Sequence, residues 1–210
     1  DTPAVGQDDE DEPTGKKLWD CNELLFNLTA NPNPGNSWSV KGQRVVELGG
    51  GTGALAVGLI KAGAAHVTCT DLPCHLARIQ ETVNANKTRN AVVVAALRWG
   101  RNVAHLTPPF DVVVMSEVLY WPALDLLQED TLKPLRKTLI DLSRHGTRVL
   151  IVYKERWPER EKRFLDSCEA EFKITHFPRD TAIPFPKSTD EDPGPEATRA
   201  VMMTRVFTNP

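Results

Sequence analysis

Arg44-Val45-Val46-Glu47-Leu48-Gly49-Gly50-Gly51-Thr52-Gly53 is a β-branched run that ends in an acid and opens into a cluster of glycines. Ala54 to Ala62 follows with helix-forming composition. That order predicts a strand, a tight turn and a helix start, the arrangement that opens a nucleotide-binding α/β unit. Glycines suit such a turn because the backbone reverses sharply and lets a ligand approach where a Cβ would collide. The spacing is Gly-x-Gly-x-Gly, with Glu47 two residues ahead of the first glycine. The dinucleotide pattern Gly-x-Gly-x-x-Gly is not matched in register.

A second signal lies one strand later. His66-Val67-Thr68-Cys69-Thr70-Asp71 reads as a buried strand ending in an acid, eighteen positions after Gly53. A carboxylate there can accept both hydroxyls of a ribose, the usual task of an acid about twenty residues beyond the turn. A plain glycine-rich turn followed by a solvated acid is the simpler reading. Both features fall at the ends of predicted strands, which weighs against it. Together, Glu47-x-Gly49-x-Gly51-x-Gly53 and Asp71 resemble motif I and the following acid of the class I, seven-strand methyltransferases that use S-adenosylmethionine. The resemblance implies an α/β, three-layer Rossmann-like fold around a mostly parallel seven-stranded sheet.

The chain has 210 residues, enough for one α/β domain with a substantial core and too few for two. No apolar run approaches membrane-spanning length, so no membrane partner is expected. Asp1-Thr2-Pro3-Ala4 has no basic-then-apolar pattern, so no signal peptide is visible; the chain does not open on Met, which leaves truncation open. The formal net charge is −3, but residues 1 to 12 carry six acids and no base. Without those six, 25 bases face 22 acids, so the body is near neutral and offers no strong nucleic-acid surface. Cys21, Cys69, Cys74 and Cys168 show no metal-ligand spacing, and no metal is expected. A reducing compartment fits them best; the cytoplasm is expected, with the nucleus open.

Residues 1–16 are acidic, contain Pro3 and Pro13, and have too little apolar content to fold alone, so a disordered segment is expected before a domain over 17–210. Leu24, Leu25 and Leu28 place one apolar face on a short helix over 22–28. Pro73 is set to start a helix through Leu76, Ile79 and Val83. Ala91 to Leu97 is a continuous apolar run, as for a strand covered on both faces. Phe110 to Met115 is another such strand, and Leu124 to Leu142 reads as a helix kinked or broken at Pro134. A strand over 147–153, a helix over 159–171 and a strand over 172–177 follow. Arg179 to Thr198 is a Pro-rich loop, functional or disordered at this length. Ala200 to Phe207 then pairs without an intervening helix, so the last strand is expected to be antiparallel.

Ligands in open parallel sheets bind beyond the carboxyl ends of the strands. Gly49 to Gly53, Asp71, Trp99, and Ser116 to Tyr120 mark four such ends. Leu97-x-Trp99-Gly100, the Leu18-Trp19-Asp20 segment and Glu117-x-x-Tyr120 sharpen the resemblance. They are similar to family 16 of the protein methyltransferases, of the methyltransferase-like 21 type, which are mostly lysine-specific enzymes acting on chaperones and translation elongation factors. The resemblance runs from about Lys17 to Phe177. It implies cofactor contacts from Trp19, Glu47, Gly49, Gly51, Gly53, Asp71, Leu72, Trp99 and Ser116. It also implies that Glu117 and Tyr120 border the methyl-transfer site, that the substrate is a protein, and that the chain acts as a monomer. Ser116 stands where relatives often have Ala. Two further departures are the missing β-hairpin ahead of Trp19 and an expanded Pro-rich loop.

Plainer readings stand beside these. Glu117 can be an acid accepting backbone N–H groups at a helix start, Tyr120 a packed aromatic, and Trp19 a core residue. A nucleic-acid methyltransferase would need an Asn/Asp-Pro-Pro-aromatic tetrad after the fourth strand, which Ser116 to Tyr120 lacks. A small-molecule methyltransferase and a non-catalytic binding module share the cofactor half of the pattern.

Overall fold

The computed structural model describes residues 20–31, 37–119, 131–177 and 198–206. Trp19, Tyr120, the acidic segment 1–16 and most of the Pro-rich loop lie outside the described residues. The chain runs through α1 (Asp20–Ala30), β1 (Arg44–Leu48), α2 (Ala54–Lys61), β2 (His66–Asp71) and α3 (Leu76–Ala85). It continues through β3 (Val92–Ala96), β4 (Val112–Ser116), α4 (Leu132–Leu142), β5 (Arg148–Lys154), α5 (Pro158–Cys168), β6 (Phe172–His176) and β7 (Thr198–Arg205). The seven strands form one sheet in the order β3-β2-β1-β4-β5-β7-β6. β7 is antiparallel to both β5 and β6, and the remaining pairs are parallel.

Alternation along each strand builds two cores, because successive side chains leave a strand on opposite faces. Val45, Val112, Val114, Leu150 and Val152 pack with Leu24, Leu55, Leu59 and Ile79 from α1, α2 and α3. Val46, Val113, Met115, Val149 and Ile151 pack on the other face with Leu135, Leu139 and Phe164 from α4 and α5. The continuous apolar runs of the central strands follow from this double cover. Leu24, Leu25 and Leu28 are buried as the helical spacing requires.

One expectation is corrected. The run around β3 is not covered on both faces: β3 is an edge strand, and Val93 is 49% exposed. Val92 packs on the α2 and α3 side, so Val93 leaves β3 on the opposite face, and an apolar run does not reveal whether a helix covers that face. Of the helix expected over 124–142, residues 124–130 lie outside the described residues; α4 begins at Leu132, which puts Pro134 in its first turn, where no N–H is owed to the helix ladder. Pro73 opens a single 3-10 turn, Pro73–His75, and α3 follows it.

β1 and β4 are adjacent, yet the chain leaves β1 toward β2 and returns past it to reach β4. In sheets of this kind, such a reversal of strand order marks the usual ligand position at the carboxyl ends of the strands.

Candidate functional site

The glycine turn after β1 is held by β2. Both Gly49 N–H and Gly50 N–H donate to the Thr70 carbonyl at 3.0 Å, and Thr70 Oγ1 donates back to the Glu47 carbonyl at 2.7 Å. Gly49, Gly51 and Gly53 have φ of 75°, 55° and 78°, the left-handed region that glycine enters without penalty. A Cβ on Gly49 would lie 2.9 Å from Val118 Cγ1, and one on Gly53 3.0 Å from Ile79 Cγ2. The protein's own packing therefore demands these glycines. The contact with Val118 also brings the tip of β1 against the exit of β4.

Asp71 closes the turn from the neighbouring strand. Its Oδ2 accepts the Gly51 N–H at 2.7 Å and its Oδ1 accepts the Leu72 N–H at 2.7 Å. An ionised carboxylate has about four acceptor positions, so two remain for a diol. Glu47 is buried beneath the turn, and burial pushes its carboxyl up to about 8; the Asp71 charge adds to the rise, while the Cys69 thiol and the Ala56 N–H oppose it. Glu47 Oε2 is enclosed without a hydrogen-bond partner. Trp99, partly buried against the α4 side of the sheet, turns into Gly100, whose N–H donates to Thr138 Oγ1 at 2.8 Å. At the end of β4, Ser116 Oγ is enclosed and unpartnered.

Glu117 has φ 57°, uncommon for a residue with a Cβ and typical of functional positions held by their surroundings. Its N–H donates to the Val152 carbonyl at 3.0 Å. The side chain is only 6% exposed and its carboxylate is engaged from two directions. Oε1 accepts from the Cys21 thiol at 2.5 Å and from the Lys154 N–H at 3.1 Å, and Oε2 accepts from Arg156 at 2.6 Å. Cys21 and Arg156 carry no local motif, and contact partners 96 and 39 positions away leave no periodic trace. The one available signal is that Lys154 to Arg156 leave β5 at the same end of the sheet as Glu117.

The structure thus brings Gly49, Gly51 and Gly53, Glu47, Asp71 and Leu72 into one hydrogen-bonded or packed unit, with Ser116 and Glu117 at the adjoining strand end. Trp99 stands at the end of β3, the edge beyond β2. The donor set fits an adenosyl ligand: an acid with spare lone pairs, an aromatic, and an unpartnered hydroxyl at successive strand tips. Among the described residues, no three metal-ligating side chains gather, and no helix is long and apolar enough to cross a membrane.

Strand order, the antiparallel β7 and the switch-point site define the class I methyltransferase fold. The chain overlays a ribosomal protein L11 methylase from Lactobacillus delbrueckii with a TM-score of 0.54 at 17% identity, covering 87% of this chain and 77% of the other. It overlays the pyocyanin biosynthetic protein PhzM with a TM-score of 0.61 at 15% identity, covering 88% and 55%. Within that fold, the chain belongs to the lysine methyltransferase family, whose sequence profile matches residues 4–171. It is 40% identical over 81 residues to EEF1A lysine methyltransferase 3 of Xenopus tropicalis, covering 38% of this chain and 36% of that protein. It is 34% identical over 140 residues to protein N-lysine methyltransferase METTL21A of Danio rerio, covering 64% and 60%. The chain thus spans less than two thirds of the length of these relatives.

Proposed function

We propose that this chain is an S-adenosylmethionine-dependent protein-lysine N-methyltransferase that methylates the ε-amine of a lysine in a polypeptide. The observation that carries the assignment to this site is Glu117, held in a left-handed backbone at the exit of β4 and packed beside the glycine turn through Val118. Family membership supports the reaction type. When bound, the cofactor supplies an electrophilic sulfonium methyl. The chain's own residues then have tasks of alignment. Asp71 would hold the ribose hydroxyls with the acceptor positions left by Gly51 and Leu72, Trp99 would take the adenine, and Ser116 and the turn Gly49, Gly51 and Gly53 would hold the remainder, while Trp19, outside the described residues, is proposed for the cofactor on the family resemblance alone. Glu47 braces that turn from below. Glu117 would meet the incoming amine and keeps one acceptor position for an amine N–H, and Tyr120, outside the described residues, is proposed beside it on the family motif alone. Such positioning lowers a barrier by several kcal/mol. A free lysine has a pKa near 10.4, so the site must also let the ammonium lose a proton.

The name of the Xenopus relative supports a translation factor as substrate, which points to work in the cytoplasm. The test is transfer of label from the cofactor to polypeptides of a cell extract, read as methyllysine after hydrolysis. No transfer to any polypeptide overturns the reading, and transfer to small molecules alone assigns the other substrate class. Calorimetry with S-adenosylhomocysteine separates both from a non-catalytic module, which would bind none.

A further inference from the structure

Three groups from separate parts of the chain converge on Glu117: the Cys21 thiol of α1, the Lys154 N–H at the end of β5, and the Arg156 guanidinium just beyond it. Arg156 is itself fixed, because its backbone N–H donates to Glu161 Oε1 of α5 at 2.9 Å. Burial, with the charge of Glu117 adding, pushes the Cys21 thiol upward, so it stays a protonated donor. Arginine stays charged at any working pH. The Glu117–Arg156 pair is therefore neutral as a unit. Among the described residues, the charged groups near it include Lys154 of β5, the buried Glu161 of α5, and Glu155, which pairs with Arg199 of β7.

A lone carboxylate beside the transfer site would stabilise the target lysine as ammonium, and an ammonium has no lone pair for attack. A carboxylate already paired with a guanidinium gives far less of that stabilisation while still orienting an N–H. We infer that Arg156 is a positioning residue for methyl transfer: it fixes and neutralises Glu117, so that the target lysine reaches the site as a neutral amine. This rests on the lysine methyltransferase reading. The ammonium gives one proton to water. The amine lone pair then forms the N–C bond as the methyl–sulfur bond breaks, its electron pair staying on sulfur, and the positive charge ends on the methylated nitrogen.

The experiment compares wild type, Arg156→Gln, Arg156→Lys and the double variant Glu117→Gln/Arg156→Gln, with cell-extract polypeptides as acceptor. It reads labelled methyllysine against pH, and S-adenosylhomocysteine affinity by calorimetry. For Arg156→Gln, S-adenosylhomocysteine affinity stays within about threefold while the midpoint of the pH–rate curve rises by about one unit. Arg156→Lys keeps the wild-type midpoint, and the double variant returns to it at a lower rate. If Arg156→Gln is poorly folded, seen as lost cofactor binding, the double variant and Arg156→Lys decide: midpoints displaced upward in both overturn the inference. An unshifted Arg156→Gln midpoint with a transferring wild type overturns this inference alone. A wild type that transfers nothing removes the parent reading and the inference with it.

Discussion

The carboxylate of Asp71 reaches from the tip of β2 to the turn after β1 and accepts the Gly51 N–H at 2.7 Å. One side chain therefore shapes the turn and keeps lone pairs for a ligand. Hydrogen bonds to a charged acceptor are worth about 1.5–3 kcal/mol each, so both tasks matter energetically.

Replacing Asp71 with Ala removes the turn's anchor and the acceptor for the ribose together. S-adenosylhomocysteine affinity is expected to fall by about 10- to 100-fold. Calorimetry checks this; an unchanged dissociation constant would disprove the assignment of Asp71.

Replacing Glu117 with Gln keeps the shape of the side chain and removes its charge. Cofactor affinity is expected to stay within about threefold while transfer falls by at least tenfold, or about 1.4 kcal/mol of transition-state stabilisation. Equal loss of binding in the Asp71 and Glu117 variants would show that the two residues do not divide the work as proposed.

Glu47 predicts a pH dependence of stability. Its folded-state value, raised by burial to about 8, lies above the ordinary 4.5, so the folded chain holds a proton that the unfolded chain has already released. Between those values the unfolded state binds fewer protons, and stability falls as pH rises, by on the order of 1 kcal/mol per pH unit at most, levelling off above the folded value. Glu47→Gln is expected to flatten thermal unfolding midpoints across this window and to stabilise the chain most near its alkaline end. Parallel curves for the two proteins would refute the assignment.

Gly53→Ala tests the turn by packing alone. The new Cβ would adopt φ 78° and lie 3.2 Å from the Ile79 backbone, which cannot swing aside as a side-chain tip can. A left-handed alanine and the overpacking together cost about 2–3 kcal/mol, an unfolding midpoint lower by about 4–10 °C for a chain of this size. A midpoint unchanged from wild type would contradict this packing of the turn on α3.

Much of the fold is legible in order along the chain. The β-branched runs, the glycine turn and the acids at strand ends are local patterns, and each follows from period-two burial or from the φ a turn demands. The exposure of Val93 is not legible in this way, because it depends on what packs over that face of the sheet, and no stretch of residues 91–97 contains that information. That Pro134 lies in the first turn of α4 is known only once the helix boundary two residues ahead of it is known.

For the site, local chemistry marks Asp71 and the three glycines as residues suited to a cofactor, and the family resemblance adds Glu117 for an amine. Only the tertiary structure decided what each of them touches. The Gly51–Asp71 bond needs β1 and β2 side by side, and the Glu117–Arg156 pair needs β4 beside β5. Sequence pattern reports the periodicity of one element at a time, whereas partnership between charges is set by how the chain crosses over and which strand tips it brings together.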